Sequence, residues 1–238
     1  MSENTKTLPA VALRGMTILP GMVVHFDVSR ERSMKAIERA MLKEEEVFLV
    51  TQKDPDTEEP SGKDLFSIGL VASIRQVIKL PNNILRILVE GKERAELLYL
   101  EDEGEFLEAE VRFFDPMEGK PSPLEEEAML RSLKELIGDY CSSNSKLAKA
   151  FQSILNDARD LSSLIDETAN NLPLYYEDKQ RLLEAVSLRE RFDELEVILA
   201  NEINIMEIKK DIQTKVKERV DKNQREYLLR EAAAFTSN

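Results

Sequence analysis

The chain has 238 residues, 42% hydrophobic and 33% charged, which is enough for one large core or two modest ones and excludes an intrinsically disordered polypeptide. Its 46 acidic and 33 basic residues leave a net charge of −13, divided as −7 over residues 1–116 and −6 over the remainder, so neither half attracts phosphate backbones or anionic lipid by bulk charge. The single cysteine, Cys141, excludes an intrachain disulfide, and no stretch of roughly 18 uncharged apolar residues exists to span a membrane. The N-terminal MSENTKTLPAVALRG lacks the basic-then-apolar order of a signal peptide, and the expected compartment is the cytoplasm.

From Leu8 to about Asp115, short runs rich in Val, Ile, Leu and Phe alternate with Gly, Pro, Asn and Asp, the pattern of a β-rich half. One helix interrupts it: Met34, Ile37, Ala40 and Met41 recur at helical spacing between Arg30 and Lys43, with Ser29 as the expected N-cap. Ser67 to Leu80 and Ile84 to Glu90 read as a hairpin across Pro81-Asn82-Asn83, because proline presets a turn dihedral and asparagine tolerates positive φ. The clearest strand is Glu105 to Phe113, where Leu107, Ala109, Val111 and Phe113 alternate with charged residues.

Three prolines and a glycine between Asp115 and Pro123 exclude a continuous helix or central strand and mark a boundary. Beyond it Ser122 caps a helix, Pro123 takes its first position and Glu125 completes a capping box. Three apolar groups at helical spacing, Leu130 to Ile137, Leu147 to Leu155 and Leu161 to Ile165, then predict a small bundle. From about Glu177 to Glu231 there is neither Gly nor Pro. Leu188, Phe192, Leu195, Leu199 and Ile203 are followed by Ile208, Ile212, Val216 and Val220, which predicts one long helix or two nearly collinear ones. Its far end requires a partner helix or a continuing chain over the apolar stripe. The class is α+β, divided as a β-rich region 1–116, a linker and bundle 117–176, a long helix 177–231 and a tail 232–238 that reads as a tag or truncation remnant.

Catalytic motifs are missing. No Gly-Lys pair is followed by Ser or Thr, since Gly62-Lys63, Gly91-Lys92 and Gly119-Lys120 precede Asp64, Glu93 and Pro121, so no phosphate-binding loop forms. With His25 as the only histidine, multi-histidine metal sites are excluded, and His25 itself reads as a strand residue in Met22-Val23-Val24-His25-Phe26. The carboxylate runs Glu44-Glu45-Glu46 and Glu101-Asp102-Glu103 read as solvated turns, and Cys141 as an idle or buried thiol.

The opening Leu8-Pro9-Ala10-Val11-Ala12-Leu13-Arg14-Gly15, then Leu19-Pro20-Gly21-Met22-Val23-Val24, Phe48-Leu49-Val50-Thr51-Gln52-Lys53-Asp54, Lys79-Leu80-Pro81-Asn82 and Leu88-Val89-Glu90-Gly91-Lys92-Glu93-Arg94 resemble the start of ATP-dependent Lon proteases in order and spacing. So do Leu174 to Glu184 and the closing Asn223 to Glu231, and the sequence departs at His25-Phe26, where members commonly carry Pro-Leu. The resemblance implies a PUA-like β-domain with one inserted helix, then an all-α bundle ending in a long helix. It implies the non-catalytic substrate-recognition and assembly region of a serine protease that degrades misfolded and regulatory proteins. This segment would carry no cofactor, with ATP and Mg bound by an ATPase module and a serine-lysine dyad in a peptidase domain, both outside it. Its partners would be unfolded or damaged proteins and other Lon subunits in a homohexamer, with no membrane; a PUA-like fold elsewhere binds RNA, but the acidic charge of both halves disfavours nucleic acid for this segment. A free-standing adaptor without protease activity is the alternative.

Binding many unrelated unfolded chains calls for adaptable apolar surface, for which methionine is suited. Met16, Ile18, Leu19, Pro20 and Met22, with Leu80 and Pro81 of the hairpin turn, are the candidate substrate contacts; the competing reading is that they plug the open end of the β-domain core. Glu31, Arg32 and Lys35 are expected to share an exposed helix face and steer charged parts of a substrate, or simply to form a solvated first turn.

Overall fold

A computed structural model describes residues 4–43, 46–142 and 145–236. In chain order it contains β1 (Thr5–Leu13), β2 (Val23–Val28), α1 (Glu31–Met41), β3 (Glu46–Thr51), β4 (Ile68–Leu80), β5 (Ile84–Glu101) and β6 (Leu107–Phe113). The helices α2 (Pro123–Ser142), α3 (Ser145–Asp157), α4 (Leu161–Asn171), α5 (Tyr176–Glu184) and α6 (Leu188–Thr236) follow. The order is that of an α+β chain: one sheet, then helices.

The sheet runs β2-β5-β4-β3-β1-β6, and a second pairing of β5 with β6 closes β5, β4, β3, β1 and β6 into a barrel. Closure removes sheet edges, which is how a small all-β unit protects its backbone groups. One side chain in two along each strand fills the interior: Leu8, Ala10 and Ala12 of β1, Phe48 and Val50 of β3, Val71, Ala95, Ala109 and Val111. The alanines leave room for Phe48. Gly69 leaves more, since a Cβ there would sit 2.5 Å from Phe48 Cζ.

β4 and β5 overshoot the barrel as a two-stranded ribbon that ends in the expected hairpin turn, with Asn82 and Asn83 at φ 63° and 57°. Two successive positive dihedrals match the twist of a tight hairpin, and asparagine tolerates them. The sequence reading ends the second strand at Glu90, whereas β5 continues to Glu101. A register shift between Val71 and Ala72, opposite Gly91 and Glu93, bends β5 from the ribbon into the barrel wall. β2 adds to the ribbon alone, with Val23 opposite Glu90 and Val28 opposite Leu85.

Ser29 is not the cap of α1. Arg30 occupies that position in an extended conformation without a side-chain cap bond. Its guanidinium instead donates to Gln52 Oε1 at 2.6 Å. At α2 the expected capping box forms: the Ser122 N–H donates to Glu125 Oε2 at 2.9 Å and the Glu125 N–H to Ser122 Oγ at 3.4 Å. Of the one long helix or two expected over 177–231, two form. Between α5 and α6 a fresh capping box starts, in which the Ser187 N–H donates to Glu190 Oε2 at 3.0 Å and the Glu190 N–H to Ser187 Oγ at 3.2 Å. Of the run Glu44-Glu45-Glu46 only Glu46 falls within the described residues, where it opens β3 and pairs with Lys6 at 2.6 Å. Cys141 is buried, and burial pushes its thiol up from the ordinary range. The tail reaches residue 236 as helix, and residues 237 and 238 lie outside the described residues.

A second core joins the outer wall of the barrel to the helices. Val11 and Leu13, Leu49, Leu70, Ile87 and Val89 pack with Met34 and Ile37 of α1, and the same cluster continues through Leu133, Phe151, Leu164 and Leu195. α6 is 49 residues long, about 74 Å at 1.5 Å per residue. Only its first third is covered: Phe192, Leu195 and Leu199 are buried, while every residue from Glu207 to Arg230 is exposed.

Candidate functional site

The segment between β1 and β2 is tied down at four places. Thr51 of β3 donates its hydroxyl to the Met16 carbonyl at 2.9 Å, which leaves Thr17 as the donor in the 2.7 Å contact between the two threonine hydroxyls. Thr17 shares that one hydrogen with Gln180 of α5, whose Oε1 lies at the longer distance of 3.3 Å, and Gln180 donates to the Ile68 carbonyl at 3.2 Å. Asn170 of α4 donates to the Pro20 carbonyl at 3.1 Å. The Gly21 N–H donates to the Gly91 carbonyl at 3.0 Å, and the Gly91 N–H to the Met22 carbonyl at 2.9 Å.

These bonds decide part of the candidate list. Ile18 and Leu19 are each 2% exposed and belong to the core between barrel and helices. Neither offers the exposed apolar surface on which the sequence expectation relied. A polar-tethered loop buries the apolar side chains between its tethers, which spacing along the chain does not reveal. Met16, Pro20 and Met22 remain half-buried at the rim. Leu80 is half-buried and Pro81 exposed at the hairpin tip. The tip and the rim lie at opposite ends of β2, since Val28 faces Leu85 near the tip and Val23 faces Glu90 near the loop. At about 3.4 Å per residue the two groups are separated by roughly 17 Å or more.

Arg32 does not share a free face with Glu31 and Lys35. Its guanidinium donates to the Asp102 carbonyl and, at 3.3 Å, to the Gly104 carbonyl, tying α1 to the turn between β5 and β6. Glu31 and Lys35 form an exposed ion pair at 3.1 Å, and hydrogen bonding to Glu31 first, with the charge of Glu105 second, raises the lysine pKa. That pair is the part of the proposed steering face that stays accessible.

Gly91 makes the loop possible. A Cβ at this position would lie 2.5 Å from the Leu19 carbonyl oxygen and 2.7 Å from Leu70 Cδ2. Gly91→Ala is therefore expected to push the loop off the ribbon and to cost about 1–3 kcal/mol. A lowered urea midpoint, together with increased proteolysis between Arg14 and Met22, is the check.

Sequence reasoning missed the ionic cluster under the helices. Arg94 of β5, with its side chain 11% exposed, donates to the Leu183 and Leu182 carbonyls at 3.2 and 3.3 Å, the free carbonyl end of α5. Asp166 of α4 stands 3.8 Å from Arg94 and 3.7 Å from Arg191 of α6. Arg191 also donates to Ser162 Oγ at 3.2 Å. Burial lowers the Arg94 pKa to about 10 and raises that of Asp166, the opposite charges offsetting only part of the desolvation. The cluster borders a cleft of about 500 Å³ between barrel and helices, also lined by Pro20, Lys92 and Met117. No local pattern announces it, because its three members come from three distant elements.

The description "ATP-dependent protease La (LON) substrate-binding domain" matches residues 7–201. The chain belongs to the Lon substrate-binding domain family. A Lon protease of Lachnoclostridium phytofermentans is 44% identical over 231 residues, 97% of this chain and 29% of the relative. A Lon protease of Clostridium acetobutylicum is 37% identical over 97% of this chain and 30% of its own length. The chain thus spans less than a third of the relatives it matches. Among solved structures, the N-terminal domain of a Mycobacterium avium complex Lon protease superposes with a TM-score of 0.65 at 22% identity, covering 84% of this chain and 98% of that one, a likeness of fold. Among the described residues of this Lon domain, no helix is long and apolar enough to cross a membrane.

Proposed function

We propose that this chain is the non-catalytic recognition and assembly region of an ATP-dependent Lon serine protease, binding unfolded or damaged protein for a hexameric ring in the cytoplasm. The family match over residues 7–201 carries the reading. ATP and Mg would be bound by an ATPase module of the same protein, and peptide bonds cut by its serine-lysine dyad, outside this segment. Support within the chain comes from the rim of Met16, Pro20 and Met22, where flexible side chains stand half-exposed on a rigid, hydrogen-bonded loop. Methionine packs against varied shapes at low cost, which suits a surface that meets many sequences.

The fold supports a division of labour within this reading. The β-rich part, residues 1–116, offers the binding surface; the bundle, 117–176, supports it; the helical remainder carries it outward. Ile208, Ile212, Val216 and Val220 form an exposed stripe on α6, the first of them 59% exposed. Steps of four exceed the 3.6-residue turn, so a helix following this stripe wraps right-handed and not as a heptad coiled coil. Such a stripe is a surface for other subunits of the assembly.

Fluorescence anisotropy of this chain with labelled α-lactalbumin, native and reduced-carboxymethylated, tests the recognition half. Preferential binding of the unfolded form is expected, and Met22→Asp, which leaves the buried loop residues in place, is expected to weaken it several-fold. Equal or absent binding of both forms by the folded chain would overturn the reading and leave a scaffold role. The adaptor alternative is separated by the reading frame: continuation into an ATPase module excludes it.

A further inference from the structure

Besides the outer part of β4, residues 74–80, which pairs with β5 alone and carries Lys79, β2 forms a free edge of the sheet. It pairs with β5 and, among the described residues, with nothing on its other side. Which backbone groups that leaves open follows from the ladder. The Gly91 N–H donates to the Met22 carbonyl, which makes Met22 and Gly91 a hydrogen-bonded pair. Bonded and non-bonded pairs alternate along an antiparallel ladder, so Val24, Phe26 and Val28 point their N–H and C=O groups at β5. Val23, His25 and Asp27 point theirs outward, and no loop, strand or side chain among the described residues takes them up.

Proteins usually guard such an edge with proline, lysine, a bulge or an unpaired charge. Val23 to Val28 has no proline, no lysine and an unbroken register with β5. The one carboxylate, Asp27, is neutralised by a two-pronged pair with Arg86 at 2.8 and 2.9 Å. Val23 is 60% exposed on one face of the strand. On the other flank Met16 and Phe26 line a cavity of about 190 Å³ and, with His25, Asp27 and Arg86, a second open hollow. The edge also spans the distance between the methionine rim and the hairpin tip.

We propose that an extended segment of unfolded polypeptide docks on this edge as an added β-strand, its backbone bonding to Val23, His25 and Asp27 and an apolar side chain at every second position entering the Met16–Phe26 hollow. The proposal rests on the reading that the domain binds unfolded protein and names the bonds that do it. Main-chain pairing suits that task, because every sequence except proline offers the same donors and acceptors, while alternate pockets add a preference for apolar residues. A folded protein has most of its backbone already paired and can offer this edge only an open sheet edge of its own.

The test uses reduced-carboxymethylated α-lactalbumin as the probe. His25→Pro removes an outward N–H without breaking a bond to β5, a position where an edge strand tolerates proline. It is expected to weaken binding about tenfold, while His25→Thr, which keeps the N–H, binds as the parent chain does. Amide exchange of the unsubstituted chain gives a readout independent of any variant's folding: the Val23, His25 and Asp27 amides exchange freely alone and slow at least tenfold with probe bound. Probe binding with unchanged exchange at these amides, or unchanged affinity in a folded His25→Pro chain, overturns the strand. Protection already present without probe and rising with protein concentration assigns the edge to a second copy and also overturns it. Failure of the parent chain to bind the probe at all defeats the functional reading itself.

Discussion

Replacing Arg94 by alanine is expected to cost about 3–5 kcal/mol and to loosen the helices from the barrel. The side chain is buried, so solvent does not screen what is lost. Its guanidinium is the partner of two carbonyls at the end of α5, and without it Leu182 and Leu183 keep buried acceptors unmatched. Asp166 would then face Arg191 alone. Asp166→Asn should behave differently, although it breaks the same cluster. Burial raises the Asp166 carboxyl above its ordinary pKa more than Arg94 and Arg191 lower it, so the ionised form is a net burden on the native state. The native chain therefore takes up this proton before the unfolded chain does as the pH falls. The Asp166 contribution to stability increases on acidification through the range between its shifted and ordinary pKa. Asp166→Asn is thus expected to cost little at neutral pH, and to lose ground against the parent chain as the pH falls through that range. Urea denaturation at several pH values separates the two variants. An Asp166→Asn chain as damaged as Arg94→Ala at neutral pH would show that the carboxylate, and not the cap on α5, holds the joint.

Phe48→Ala is the second large effect. Phe48 is fully buried in the barrel, its ring lying over Gly69 between small residues that cannot move in to fill the space. Truncation leaves a cavity in a closed wall and is expected to cost about 3–5 kcal/mol. For a chain of this size that is a fall in Tm on the order of 10 °C by calorimetry. Phe48→Leu, which keeps most of the volume, should lose much less. Equal losses for the two would mean that ring stacking over the glycine, not volume, is what the barrel needs.

The Met22→Asp and His25→Pro experiments address neighbouring places by different physics. The first changes the apolarity of the rim; the second removes one backbone donor from the edge of β2. A chain that binds unfolded protein through both should respond to each, and the ribbon is built so that either change leaves the β2–β5 ladder intact.

How much of this was written in the sequence differs from element to element. Local signals were sufficient where the determining interactions are local. Ser122, Pro123 and Glu125 lie within one turn and start α2 as expected, and Asn82-Asn83 supply the positive dihedrals of the hairpin. Alternation over Leu107 to Phe113 gave β6 because a half-buried strand repeats every second residue whatever it pairs with. The break before α6 was also legible, in Ser187 and Glu190, but the unbroken apolar rhythm on either side concealed it. The family assignment rested on ordered motifs along the chain, which a match over residues 7–201 bears out.

Tertiary structure alone decided which candidate residues have surface. Met16, Ile18, Leu19 and Met22 are alike in composition, yet tethers from Thr51, Gly91, Asn170 and Gln180 turn the middle pair inward and leave the outer pair at the rim. Those partners lie up to 163 positions away, beyond any window of periodicity. The same holds for Arg94, Asp166 and Arg191, whose charges look solvated in sequence and meet only because barrel and helices pack. Sequence by itself determined what each segment prefers to be, because helix and strand preferences are set within a few residues. The closing of the barrel, the burial of the loop and the open edge of β2 were settled by which distant segments share a wall.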